Sequence, residues 1–301
     1  DYPELEILIS DNGQNGEALE ALVREHCPRP HRIRRNNESV PMPAHFNQLV
    51  EEAEGHYFMI LSDDDVLSPN YVSAVVDALD RNPDAGAAIS RLEIIDGQGN
   101  VVPRRLVDDP PPESMDGPDW VRRWCVPEYD FVCFVTNVAR TGEIREVGGY
   151  PDFPRGHWID NSLLLKLCLT RRILFVPEAT FFYRVYEAST GLAASARELA
   201  IACRLFLEFL DSDPAFRGYA EESPKEWDAA RRALIDMTWR TYRHRWRNMY
   251  RGRLSAGEWV RAAFAMPFIP EYYASVLRTM MRRGLSAARR NLGRLAPGSS
   301  R

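Results

Sequence analysis

Apolar and polar positions alternate with two different periods along the first 190 residues. Leu5 to Ile9 is a short β-favouring run, and Asp11-Asn12-Gly13 ends it with turn chemistry. Leu19, Leu22 and Val23 recur at helical spacing. A second helix is predicted from Pro43 to Glu54, with Phe46, Leu49, Val50 and Ala53 on one face. Tyr57 to Leu61 reads as a buried strand that runs straight into Ser62-Asp63-Asp64-Asp65. Ser68-Pro69 reads as a cap followed by proline at the first helical position, opening a helix through Leu79, and Ala85 to Ser90 supplies another strand. This alternation predicts an α/β layer with a largely parallel sheet. In such sheets ligands bind beyond the carboxyl ends of the strands, where Asp11 and Asp63 to Asp65 fall.

Further along, Asp96-Gly97-Gln98-Gly99-Asn100 is a turn between two short apolar segments, and the prolines of Asp108 to Pro112 mark a surface loop. Strands are predicted at Phe131 to Val135, Ile173 to Val176 and Thr180 to Val185, and a helix at Trp158 to Leu169. From about Ala194 the strand signals stop. Leu199 to Leu210 and Trp227 to Tyr250 carry helical periodicity, with more helix expected to about Leu292. The pattern therefore divides the chain near residue 192, into an α/β domain over 1–192 and a helical region over 193–301.

Composition narrows the class. The 301 residues suit one large domain with an appendage, or two modest ones. Hydrophobic residues at 45% and charged residues at 27% exclude disordered and fibrous classes. No apolar stretch reaches the roughly 18 residues of a spanning helix, and no signal-peptide pattern opens the chain. Cys27, Cys125, Cys133, Cys168 and Cys203 are odd in number and never form a CxxC pair. They read as reduced thiols, and the cytoplasm is the expected compartment. Charge is uneven: residues 231–301 hold sixteen arginines against Asp236, Glu258 and Glu271, so the remainder carries −18 of a net −5. An acidic body with a basic tail expects an anionic partner for the tail, or a tail folded back on the body.

The chemistry concentrates at Asp63-Asp64-Asp65. Three adjacent carboxylates repel one another, so a strand end that gathers them expects a cation or ribose hydroxyls. Mg²⁺ and Mn²⁺ are hard ions held by one or two carboxylates plus substrate phosphates, and such an ion would neutralise a departing diphosphate. The alternative is that one or more of the acids cap the helix near Ser68, a role that suits Asp65.

With these residues in view, the chain resembles the family-2 glycosyltransferases, which have the GT-A fold. The likeness runs through "YPELEILISDNGQNG", "HFNQLVEEAEGHYFMILSDDDVLSPNYV", "EVGGYPDFPRGHWIDNSLLLKL" and "ILFVPEATFFYRVYEAST", in family order from residue 2 to about 190. It implies that Asp11, with Asn12 beside it, contacts the nucleotide base, and that Asn47 supports the base site. It implies that Asp63 takes the ribose while Asp64 and Asp65 take the metal, Mg²⁺ or Mn²⁺, of a DxD-like motif. Asp160, shortly after Gly148-Gly149-Tyr150, is the implied general base of an inverting transfer; the alternative is a helix cap. Asp152 and Asp130 are weaker candidates for the base, and Arg184 or Arg197 is expected to face the diphosphate.

The resemblance implies a nucleotide-sugar donor, with a UDP-sugar the leading expectation, and a glycan or lipid-linked acceptor of the kind met in polysaccharide biosynthesis. Two departures stand out. The family opens with an apolar nucleotide-binding strand, and this chain starts just before the second one, so an N-terminal truncation is expected. Tyr186 also stands where relatives carry a histidine. In the tail, Trp239, Tyr242, Trp246, Met249 and Tyr250 alternate with arginines. Such a stripe is ordinarily core, while its basic flanks resemble a segment lying on an anionic membrane, here the inner face of the plasma membrane. The two prolines of "FAMPFIP" leave an apolar kink suited to lipid or to packing on the body, and Arg282, Arg283, Arg289, Arg290 and Arg294 extend the basic trend. A homo-oligomer contact is a further use for this surface; nucleic acid is not expected, since no recognition motif supports it. The competing functions are a metal-dependent nucleotidyltransferase and a non-catalytic transferase acting as a scaffold.

Overall fold

In a computed structural model of the chain, the described residues are 1–13, 15–103, 113–125, 137–185 and 195–250, excluding the side chains of 196 and 245–250. The expected loop at Asp108 to Pro112, the strand at Phe131 to Val135, Cys133, Asp130, Tyr186 and the tail beyond Tyr250 lie outside them.

The described strands pair in five ladders that fall into three hydrogen-bonded groups. β1 (Leu8–Asp11) lies parallel to β2 (Arg32–Arg35), joined through α1 (Glu17–His26). β3 (Tyr57–Phe58) pairs antiparallel with β7 (Ala139–Arg140). Paired 2.9 Å hydrogen bonds between Ala88 and Val138 join that ribbon to β5 (Ala85–Ile95). β5 runs parallel along β8 (Arg172–Arg184), whose other edge takes β4 (Val66–Leu67) and β6 (Ser114–Asp116) antiparallel. The predicted parallel layer is therefore mixed at its edges. β8 is one bent strand where two were expected: its register with β5 jumps between Val176 and Thr180. Pro177, which has no N–H to give a ladder, sits in the bulge, and its carbonyl accepts from Arg91 Nε at 3.3 Å.

Helices close both faces. α3 (Tyr71–Arg81) buries Tyr71, Val75 and Leu79 against Ala88, Leu92, Leu174, Val176 and Phe181. Each large side chain here contributes about 1.5–3 kcal/mol by leaving water. α6 (Ile159–Cys168) is buried on nearly every side, as a central helix must be, and packs on β5. Gly86 permits that approach, because a Cβ there would overlap the Leu167 carbonyl. Gly117, at the start of α4 (Gly117–Trp124), meets the Cys168 and Leu169 carbonyls in the same way. α5 (Thr141–Glu146) sends Arg145 to the last carbonyls of α2 (Met42–Glu52), those of Val50, Glu51 and Ala53. This satisfies groups a helix end leaves open.

α7 (Ala196–Ser212) opens with a Ser195–Glu198 capping box, and α8 (Pro214–Glu222) with Asp213 as cap. α9 (Pro224–Tyr250) follows. The chain divides into two compact units, Asp1–Arg231 and Arg232–Arg301. Helices replace strands close to where the pattern changes, yet α7, α8 and the start of α9 belong to the first unit. In the second, Trp239 and Tyr242 are buried and meet edge to face, rings 5.9 Å apart. Among the described residues no helix is long and apolar enough to cross a membrane. Cys125, Cys168 and Cys203 are buried and, like Cys27, form no disulfide.

Several local expectations need correction. Leu22 is 55% exposed, so α1 buries Val23 alone. The run Tyr57 to Leu61 is not a buried strand: its ladder is two residues long, and Leu61 is 47% exposed. Ser68 does not cap α3, which starts at Tyr71 after Asn70. Its N–H reaches the Thr180 carbonyl at 2.9 Å and its hydroxyl accepts from Thr180 N–H at 3.0 Å, so the sheet claims both groups. β2, α4, α5 and α8 carry no prediction from the pattern.

Candidate active site

The acidic triplet forms a turn between β3 and β4, closed by the Asp65 N–H on the Ser62 carbonyl at 3.2 Å. Its three acids have different surroundings. Asp65 is buried and accepts the Arg184 N–H at 2.8 Å. Burial pushes its carboxyl up to about 6; the Arg184 N–H opposes this, and the neighbouring charges of Asp64 and Asp63 add to it. Asp63 is exposed and Asp64 half-buried, and neither carboxylate accepts a hydrogen bond from a described residue. The Arg184 side chain, expected to face the diphosphate, braces the turn: Nε donates to the Asp64 carbonyl at 2.7 Å and Nη1 to the Asp96 carbonyl at 2.9 Å. Arg184 thus ties the acid turn to the Asp96 turn at the far end of β5.

At the end of β1, Asp11 is 2% exposed, and its own loop takes up its carboxylate. Oδ1 accepts from Gly13 N–H at 3.1 Å and Asn15 Nδ2 at 3.0 Å, and Oδ2 from Gly16 N–H at 3.0 Å. A hydrogen bond from the Asn15 backbone, joined by these three, holds its carboxyl below the usual range against the effect of burial. Asn12 fastens the facing loop, donating to the Val40 carbonyl at 2.9 Å and accepting from Val40 N–H at 3.0 Å and Asn36 Nδ2 at 2.9 Å.

Asn47 sits on α2 and grips the backbone of Tyr150 at both groups: Nδ2 donates to its carbonyl at 2.8 Å and Oδ1 accepts its N–H at 2.8 Å. The turn beneath needs glycine. Gly148 and Gly149 have φ of 78° and 65°, and a Cβ on Gly149 would overlap Asn47 Oδ1. Two residues before Asn47, His45 Nε2 lies 2.6 Å from Ser10 Oγ, so α2 connects the end of β1 with the Gly-Gly-Tyr turn.

Asp160 is the second residue of α6, partly buried, and it accepts no hydrogen bond from a described residue. A helix N-terminus ordinarily favours a carboxylate. Burial outweighs that here and pushes Asp160 up to about 7; the Tyr150 phenol is raised too, by its own burial first and by the Asp160 charge second. It is not a side-chain cap, since α6 has none. Asp152 and Arg197 are exposed.

The structure thus gathers the expected residues into three groups: Asp11 with Asn12, Asp63 to Asp65 with Arg184, and Asn47 with Tyr150 and Asp160. No hydrogen bond or ion pair among the described residues joins Asp160 to the acid turn. Among those residues no cluster of three or more His, Cys, Asp or Glu side chains forms a metal cage. Sequence reasoning missed Tyr150 and Trp158 as neighbours of Asp160; the double glycine pointed to the first, and nothing periodic pointed to the second.

No curated protein matches the chain. Among solved structures, S. aureus TarS residues 1–349 in complex with UDP-GlcNAc aligns with a TM-score of 0.51 at 14% identity, over 79% of this chain and 74% of that one. GalNAc-T7 with UDP, GalNAc and Mn²⁺ aligns at a TM-score of 0.47 and 12% identity, over 74% and 51%. The likeness to TarS shows the fold, which is GT-A. The family model for glycosyl transferase family 2 matches residues 1–139, from β1 through the acid turn to the ribbon strand β7. That match covers 139 of the 301 residues and makes this stretch similar to glycosyl transferase family 2, which together with the GT-A fold supports a glycosyltransferase over the nucleotidyltransferase and scaffold readings.

Proposed function

We propose that this glycosyltransferase moves a sugar from a nucleoside-diphosphate sugar, of the UDP class, to an acceptor hydroxyl with inversion, using Asp160 as general base. The observation that carries the reading is Asp160 itself: a partly buried carboxylate with no donor from the described residues competing for it, and a proton affinity raised towards neutral pH. A base works best when its pKa lies near the working pH. In the reaction Asp160 takes the acceptor O–H proton while the acceptor oxygen bonds to the anomeric carbon. The bond from that carbon to the diphosphate oxygen breaks at the same time, and the nucleoside diphosphate leaves with the electron pair. Attack opposite the leaving group inverts the anomeric centre. That TarS holds UDP-GlcNAc on the same fold supports the donor class.

Asp63 and Asp64 offer hard oxygen donors that no described residue occupies, which fits Mg²⁺ or Mn²⁺ bound by one or two carboxylates together with substrate phosphates. Asp64 would hold the ion and Asp63 the ribose. Asp65, with one oxygen on the Arg184 N–H, serves better as the anchor of the turn than as a full ligand. When bound, the ion supplies charge neutralisation to the leaving diphosphate. The acceptor is proposed to be a glycan, free or lipid-linked, with the arginine-rich tail holding the enzyme at an anionic membrane from the cytoplasmic side. Calorimetry with UDP and Mn²⁺, followed by assay of Asp160→Asn, tests the core of this. Retained UDP binding with loss of transfer supports it, while full transfer by the variant, or a product with retained anomeric configuration, refutes it.

A further inference from the structure

The loop that delivers Asp160 is the most contorted backbone described in the molecule. Arg155 and Trp158 have φ of 54° and 70°, the two non-glycine residues with positive φ among those described, and they lie within five residues of Asp160. A bulky aromatic residue in the left-handed region is a genuine outlier, and such strain persists only where the surroundings over-determine it. The Trp158 indole stacks on the fully buried Phe206, ring centres 4.9 Å apart and planes 12° from parallel. Phe153 meets Phe209 edge to face at 5.6 Å. Arg155 Nε donates to Glu198 Oε1 at 2.8 Å, and Glu198 is the capping-box acid of α7.

Glu198, Phe206 and Phe209 lie at spacings of eight and three on one helix, so a single face of α7 receives the whole loop. Trp158 also starts α6: its carbonyl accepts the Ser162 N–H at 2.9 Å, and Asp160 follows two residues later. Its indole N–H is buried with no hydrogen-bond partner among the described residues. The ring is therefore held by stacking and not by a polar contact.

Resting on the reading of Asp160 as base, we propose that Trp158 is the positioning residue for the Asp160 carboxylate, and that α7 is the platform holding it in place. The left-handed turn at Trp158 aims the first turn of α6, and the stack on Phe206 keeps the turn from relaxing. Relaxation would move the carboxylate and admit water to it. The titratable group that the Asp160 charge reaches is Tyr150.

The test is a ¹³C-carboxyl NMR titration of Asp160, its signal assigned by its loss in Asp160→Asn, run beside steady-state kinetics on the full chain. Trp158→Ala is expected to bring the Asp160 titration down by about one unit or more towards the ordinary carboxylate range. It should also lower kcat on the order of 100-fold, the loss that a misplacement near 1 Å brings, with donor KM within twofold. Trp158→Phe keeps a stacking ring and should restore both readouts to within about threefold. Phe206→Leu, which leaves the strained residue intact, should reproduce the Trp158→Ala titration shift and serves if that variant does not fold. An unmoved Asp160 titration in both Trp158→Ala and Phe206→Leu overturns the proposal, as does a failure of Trp158→Phe to rescue. Should Asp160→Asn keep full activity, the base reading falls instead, and the titration still decides whether Trp158 positions the carboxylate.

Discussion

The clamp between Asn47 and the Gly148-Gly149-Tyr150 turn gives a stability prediction in which two substitutions interfere with each other. Asn47→Ala removes both hydrogen bonds to the Tyr150 backbone. At about 1 kcal/mol each for such bonds, the loss is about 2 kcal/mol. Gly149→Ala acts twice over. Its φ of 65° costs an L-residue about 1–2 kcal/mol, and the new methyl overlaps Asn47 Oδ1, which must leave Tyr150 and surrender the same two bonds. The single variant should therefore lose about 3–4 kcal/mol. In the double variant the methyl meets no amide, so only the backbone cost adds to the Asn47 loss, again about 3–4 kcal/mol instead of the additive sum of about 5–6. Urea unfolding of the four proteins measures the cycle. A coupling near 2 kcal/mol is expected, and additivity to within about 0.5 kcal/mol would refute the claim that one clamp underlies both effects.

The remaining predictions concern the site and its scaffold. The kcat/KM of the wild type should rise with pH through about 7 and level off above it, following Asp160. The folded state holds that proton to higher pH than the unfolded chain does, so the carboxylate costs nothing near pH 4 and costs most above 7. Asp160→Asn should therefore match the wild type in stability at pH 4 and exceed it at pH 8 by roughly 2–4 kcal/mol, and a gain of equal size at both pH values would contradict the burial argument. Asp64→Asn should abolish the thermal stabilisation by Mn²⁺ in the presence of UDP while leaving the metal-free melting temperature within a few degrees, and an unchanged Mn²⁺ response would remove Asp64 from the metal. Gly86→Ala drives a methyl into the Leu167 carbonyl and should cost about 3 kcal/mol in urea unfolding; a loss below about 1 kcal/mol would show that β5 and α6 can separate freely. Full-length protein should float with liposomes containing anionic lipid and stay at the bottom with neutral ones, with recovery at the bottom in both cases counting against a membrane role for the tail.

How much of this was legible depended on how local each cause is. The acid turn could be read because three adjacent carboxylates after an apolar run leave few structural explanations, and α7 because the apolar positions from Leu199 to Leu210 recur at helical spacing. Ser68 misled for the opposite reason: a sound local capping signal lost to a partner in the sheet 112 positions away, Thr180. β2 was invisible because its arginines look like a solvated segment until Glu6, Glu52, Glu54 and Glu20 are brought to them by the fold. The segment ahead of Asp160 is the extreme case, since neither Arg155 nor Trp158 prefers the left-handed backbone it adopts, and the groups that hold the segment there lie 43 to 56 positions on, from Glu198 to Phe209. The family match ends at residue 139 and so contains the acid turn and Asn47 but neither Asp160 nor anything on α7. On the reading proposed here, donor chemistry is written in the matched half, while the base takes its position from helices the family pattern does not reach. Substitutions on α7 would then change the rate of transfer without changing donor affinity, which is where variation in the acceptor can be accommodated without disturbing the nucleotide site.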